Sequence, residues 1–184
     1  MIPLQGNEED GISMPKMANI CLFCLKSGIL CRKCQAKLRS GEVSELDLII
    51  GRLLLSLESK FPSLQEIYFY KAVEANDVLA LIVGRGDVAR LLSYGGKIIK
   101  AVGKKIGKSI RVLEHGVDTR KFLEDLFAPL SIITINTIWL PDGSTETRVI
   151  LRKRGRRRPP LHVDALKEIA RKVRDITLRV EFAR

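Results

Sequence analysis

The alternation of apolar and polar residues divides this chain into short helices and strands that follow one another in a repeated order. After Ser44, the residues Leu46, Ile49, Ile50, Leu53, Leu54 and Leu57 recur at helical spacing and stop near Phe61-Pro62, with Ser44 and Asp47 as a capping pair. Residues 67–73 and 78–83 are rich in aromatic, β-branched and apolar side chains around Asn76-Asp77, which predicts a hairpin. Asp87 is placed to cap a short helix through Leu92, and Gly95-Gly96 then predicts a turn in backbone angles closed to other residues. From Lys97 onward Ile98, Ile99, Val102 and Ile106 make one stripe, while Lys97, Lys100, Lys104 and Lys108 make another on a different face. Residues 109–113 alternate polar and apolar, as a half-buried closing strand does.

The second half repeats this plan. Residues 118–127 predict a helix with Phe122, Leu123, Leu126 and Phe127 apolar, stopped by Pro129. Residues 132–140 and 145–151 form a hairpin around Pro141-Asp142-Gly143, residues 164–174 a helix on Leu166, Ile169, Ala170 and Val173, and residues 177–182 a last strand. The short helix and glycine turn have no counterpart. In their place stands a run containing Arg152, Lys153, Arg154, Arg156, Arg157 and Arg158.

Helix, strand, strand, helix, glycine turn, helix, strand resembles the type II, prokaryotic form of the KH domain, whose loop clamps about four nucleotides of single-stranded RNA or DNA. The loop here is Ser93-Tyr94-Gly95-Gly96-Lys97, with serine where the family's GxxG motif has its first glycine. Tyr94 is open to two uses, stacking a base or lying on the protein surface. Two such units, the second degenerate, resemble the stand-alone archaeal proteins related to the transcription factor NusA. That resemblance implies RNA contact by Tyr94, Gly95, Gly96, Lys97 and Lys100, and action on nascent RNA with the transcription machinery as partner; Ser93 in the loop and Lys104 on the basic face are further candidate RNA-binding residues. A small-subunit ribosomal protein shares the type II fold, so association with the ribosome is the other binding role. The expected class is α+β, layered, in four segments: a flexible stretch 1–17, a four-cysteine motif 18–40, a first KH unit 41–116 and a degenerate KH-like unit 117–184.

All four cysteines lie in two CxxC pairs, Cys21-Leu22-Phe23-Cys24 and Cys31-Arg32-Lys33-Cys34. Each pair can aim two thiolates at one metal, and together they complete the closed tetrahedral sulfur set of a structural zinc ion, here a compact knuckle. Lys26, Arg32, Lys33 and Lys37 would offset the thiolate charge. An iron–sulfur cluster uses the same ligands and stays open. Two disulfides need a secretory context, and Glu8-Glu9-Asp10 stands where a signal peptide would be apolar, so a cytoplasmic location is expected. A further role for the knuckle is that of an adaptor surface that recruits a partner protein.

Composition sharpens this reading. The 184 residues carry a formal net charge of +11, a balance that favours a polyanion as partner. Six cations within residues 152–158 would repel one another unless an anion neutralises them, so phosphate contact is expected there. No apolar run approaches the span of about twenty residues that crosses a membrane. His115 and His162 lie in separate halves without a nucleophile motif, no GxxxxGK[ST] occurs, and Asp87, Glu124, Asp142 and Glu146 are scattered. Neither catalysis nor a small-molecule substrate is expected.

Overall fold

The computed structural model describes residues 16–17, 19–152 and 162–183. Its elements are β1 (Lys16–Met17), α1 (Leu22–Ser27), α2 (Arg32–Arg39), α3 (Glu45–Leu57), β2 (Tyr68–Ala75), β3 (Val78–Val83), α4 (Asp87–Leu92), α5 (Lys97–Ile106), β4 (Ser109–Glu114), α6 (Thr119–Phe127), β5 (Ile132–Trp139), β6 (Thr145–Leu151), α7 (Val163–Arg174) and β7 (Leu178–Phe182). The class is α+β, as expected: among the described residues, seven α-helices and two small sheets. One difference appears at once. Lys16–Met17, within the stretch expected to be flexible, pairs in parallel with Tyr68 and Phe69.

The sheets repeat one plan. In the first, β2 is antiparallel to β3 and β3 is parallel to β4; in the second, β5 is antiparallel to β6 and β6 is parallel to β7. Each has a register irregularity near the start of its first strand, between Phe69 and Lys71 and between Ile132 and Thr134. A parallel pair needs a crossover connection. In the first sheet this crossover carries α4, the glycine turn and α5; in the second, among the described residues, it carries α7.

The layers explain the burial pattern. Helices α3, α4 and α5 cover one face of the first sheet through Ile50, Leu54, Leu91, Ile98 and Val102. Its other face packs on α6 and α7, and Ala80, Ile82 and Leu113 share one continuous core with Phe122, Phe127, Ile169 and Val149 of the second half. All of β3 is therefore buried. β4 is the half-buried closing strand expected: Ser109 is exposed, Ile110 and Arg111 are half-buried, and Val112 and Leu113 are buried, the last in the core shared with the second half.

Two further expectations are corrected by these contacts. Ile49 is 53% exposed, because α3 turns Ile50, Leu53 and Leu54 to the sheet and Leu48 to the cysteine segment. Asp87 is not a cap. Gly86 holds the N-cap position in the left-handed region, and the buried Asp87 carboxylate accepts the Tyr68 backbone N–H at 2.8 Å and the Arg90 guanidinium at 2.6 Å. An added Cβ on Gly84 would lie 2.6 Å from the same carboxylate.

Asp47 does cap, and does more than cap. Ser44 and Asp47 form the expected reciprocal box, and the second Asp47 oxygen accepts the Ala72 backbone N–H of β2 at 2.6 Å. Asp47→Ala removes the box and strands a buried strand amide, so a loss of about 2 to 4 kcal/mol is expected in denaturant unfolding, against about 1 for Ser44→Ala. Equal losses for the two variants would sink this account.

Candidate metal centre and nucleic-acid interface

The two CxxC turns fold alike. Cys21 is the N-cap of α1 with Cys24 in its first turn, and Cys31 is the N-cap of α2 with Cys34 in its first turn. The two turns are tied reciprocally: the Cys31 N–H donates to Cys24 Sγ at 3.1 Å, and the Cys21 N–H donates to Cys34 Sγ at 3.5 Å. All four Sγ atoms lie within 4.8 Å of one another. Cys21 and Cys24 Sγ are 3.2 Å apart, too far for an S–S bond of about 2.05 Å. A tetrahedral ion with metal–sulfur bonds of about 2.3 Å needs sulfurs about 3.8 Å apart, so this donor set could hold one ion after small side-chain rotations.

Proton affinities within the cluster are uneven. The Cys34 backbone N–H, followed by the Cys34 and Cys24 side chains, brings the Cys31 thiol down to about 7. The Cys31 backbone N–H favours the Cys24 thiolate, but burial and the neighbouring thiols outweigh it and push that thiol up to about 12. Burial also raises Cys34. A bound divalent cation overrides these preferences, since a coordinating thiol is deprotonated outright. The cluster has its own small core of Ile20, Leu25, Val43 and Leu48, which seats it on α3. Lys26, Arg32 and Lys33 are exposed on its helices, whereas Lys37 pairs with Glu42 at 3.3 Å.

The glycine turn joins α4 to α5 in the middle of the first unit's crossover. Ser93 has φ −59° and ψ 172°, angles any residue adopts, and its hydroxyl donates to the Arg90 carbonyl at 2.5 Å. Tyr94, Gly95 and Gly96 then take φ of 55°, 64° and 73° in succession. Three consecutive left-handed residues turn the chain sharply while Gly95 and Gly96 present no side chain, and an added Cβ at either would meet nothing within 4 Å. Gly96 caps α5 without any side-chain hydrogen bond, and no acidic residue occupies the helix's first turn. An open helix N-terminus of this kind suits an anion. Lys97, Lys100 and Lys104 are exposed along α5, with Lys105 beside them.

Lys108 does not belong to that face. The helix ends at Gly107, and the Lys108 ammonium is held by Glu74 at 2.8 Å and the Asn76 carbonyl at 2.6 Å. Tyr94 is half exposed with its ring 5.5 Å from that of Phe61, so it forms part of the surface beside the turn. Sequence reasoning missed this aromatic neighbour, and it missed the stack of His115 on Tyr70 at 3.9 Å. Both pairs join residues distant in the chain. Of the arginine run, Arg152 is exposed just past β6, its N–H donating to the Ser131 carbonyl at 2.9 Å. Lys153, Arg154, Arg156, Arg157 and Arg158 lie outside the described residues. Among the described residues no helix is long and apolar enough to cross a membrane.

Fold and site together define a layered α+β protein with a four-cysteine cluster able to hold a metal ion and a glycine turn at the head of a basic helix. Its sequence is similar to two archaeal proteins, each called "Probable transcription termination protein NusA". The one from Methanocaldococcus jannaschii is 30% identical over 80 residues, 44% of this chain and 42% of that protein. The one from Methanococcus vannielii is 28% identical over 98 residues, 53% of this chain and 55% of that protein. The resemblance to archaeal NusA is thus borne out, over about half the length of these relatives. No protein-family profile matches the chain. A solved structure titled "Crystal structure of APE1850" aligns with 77% of this chain and 100% of its own, at 18% identity and a TM-score of 0.49.

Proposed function

We propose that this chain is a non-enzymatic, single-stranded RNA-binding protein that acts on nascent RNA in transcription elongation or termination. The observation that carries this reading is the run of left-handed residues Tyr94, Gly95 and Gly96 at the uncapped head of a lysine-bearing helix. Backbone N–H groups there meet phosphates, Lys97, Lys100 and Lys104 extend the contact, and about four bases lie in the adjoining groove. Residues 41–116 form the KH unit that reads RNA, and residues 117–184 form the KH-like unit that adds charge through Arg152 and the run that follows. The cysteine cluster holds one structural zinc ion, whose closed sulfur set stabilises residues 18–40. The names of the two archaeal relatives support the transcriptional role over the ribosomal one.

Fluorescence anisotropy with a short single-stranded RNA tests the division of labour. Changing Arg156, Arg157 and Arg158 to Ala is expected to weaken binding to all sequences alike and to reduce the slope of log affinity against log salt by about 2, at about 0.7 per phosphate. An unchanged slope would remove the arginine run from the interface. Cofractionation with elongating polymerase is expected; cofractionation with ribosomal subunits instead would favour the ribosome-associated reading.

A further inference from the structure

The knuckle carries a charge pattern that a purely structural zinc site does not need. From position 18 to position 41 the chain contains five cations and no carboxylate. Only Lys37 is paired, with Glu42; Lys26, Arg32, Lys33 and Arg39 are exposed and form no ion pair among the described residues. Four thiolates on a divalent ion still leave the segment cationic. Beside these charges Phe23 and Ile29 are 68% and 71% exposed, although they sit in a segment whose own core is small. Exposed aromatic and cationic side chains in one surface are the means by which proteins hold a single strand without reading its sequence.

Its position connects this surface to the glycine turn. An open groove of about 530 Å³ separates α1 from α3 and is lined by Lys26, Arg52, Leu55, Glu58 and Ser59. Arg52 donates to the Gly28 carbonyl at 3.1 Å and so fixes the loop that carries Ile29 against α3. At its other end the groove reaches Ser59, next to Lys60, whose ammonium is 5.8 Å from the centre of the Phe61 ring. Phe61 in turn touches Tyr94. Glu58, the groove's carboxyl, has its proton affinity raised by burial and lowered by the nearby Lys26, so the two share the groove.

We infer that the cysteine knuckle is a second contact for the same single strand of RNA, which leaves the glycine turn at Tyr94, passes Lys60 and follows the α1–α3 groove to Lys26 and Lys33. This extends the glycine-turn reading above and rests on it. Phosphates lie against Lys60, Lys26 and Lys33, and Phe23 offers a face on which a base stacks. The knuckle lengthens the footprint rather than adding selectivity.

The test uses the full zinc-loaded chain and two RNA lengths, about 4 nucleotides, enough for the glycine turn, and about 12, enough to reach the knuckle. For Lys26→Glu/Lys33→Glu, affinity for the longer RNA is expected to fall about tenfold and its salt slope by about 1.4, with affinity for the shorter RNA unchanged. Metal content and thermal midpoint are expected to match wild type, since both side chains project into solvent. Wild-type binding of the longer RNA by this variant overturns the inference and leaves the surface to a protein partner. Equal losses on both lengths also overturn it, because the effect is then general charge. Failure of the glycine-turn reading is distinguishable: it appears as no loss on either length in Gly95→Asp/Gly96→Asp.

Discussion

Gly95→Asp/Gly96→Asp is expected to abolish specific RNA binding while leaving the fold in place. Both glycines have φ in the left-handed region and open space where a side chain would begin, so no atom must move to admit the substitutions. Aspartate tolerates that region better than most residues, and the cost is about 1 to 2 kcal/mol at each position. The effect on binding is larger. Two carboxylates would stand where the turn and the open head of α5 face a phosphate, replacing attraction with repulsion. Losing two charge-assisted contacts at about 1.5 to 3 kcal/mol each lowers affinity about 100-fold or more. Anisotropy measures the loss, and circular dichroism and thermal unfolding verify that the protein remains folded. Full binding by a folded variant would mean that the first unit has the shape of an RNA-binding domain without its use.

Removal of metal is expected to unfold residues 19–43 and spare the two-sheet body. The knuckle's core is a separate cluster, far below what a segment of this size needs to hold itself together, whereas the sheets share a continuous core with α6 and α7. Structural zinc supplies about 10 to 16 kcal/mol in small domains of this kind, so chelation or Cys24→Ser deprives the segment of its main stabilisation. Elemental analysis is expected to find one ion per chain. Hydrogen exchange after chelation is expected to show α1 and α2 amides exchanging freely while those of β3, buried along its whole length, stay protected. Persistent protection of α1 and α2 in metal-free protein would show that side-chain packing alone carries the knuckle. Because Leu48 of α3 belongs to the knuckle's core, a modest fall in the stability of the body is also expected.

The local pattern along the chain carried most of the architecture. The Ser44 cap, the hairpin at Asn76-Asp77, the glycine turn and the second hairpin at Asp142 and Gly143 all lie where neighbouring residues call for them, because capping, turns and periodicity act over a few residues. The cysteine spacing likewise announced a sulfur cluster, since each CxxC is a local turn, and the structure brings both turns together. The resemblance to archaeal NusA rested on the same local order.

What the pattern could not convey depends on pairs far apart in the chain. Asp87 read as a cap and is a clamp on Tyr68; Lys108 read as part of the lysine face of α5 and is paired with Glu74 instead; Ile49 read as core and faces solvent. The covering of the first sheet by α6 and α7, which buries β3 on both faces, was equally invisible. The sequence by itself determined the elements, their order, the four clustered cysteines and the glycine turn at the head of a basic helix. Only the tertiary structure decided which charges remain free, which face each stripe covers and that the groove beside the cysteine segment reaches Ser59, near the Phe61 ring that lies against Tyr94, because burial and charge pairing are set by neighbours that the fold brings together from distant parts of the chain.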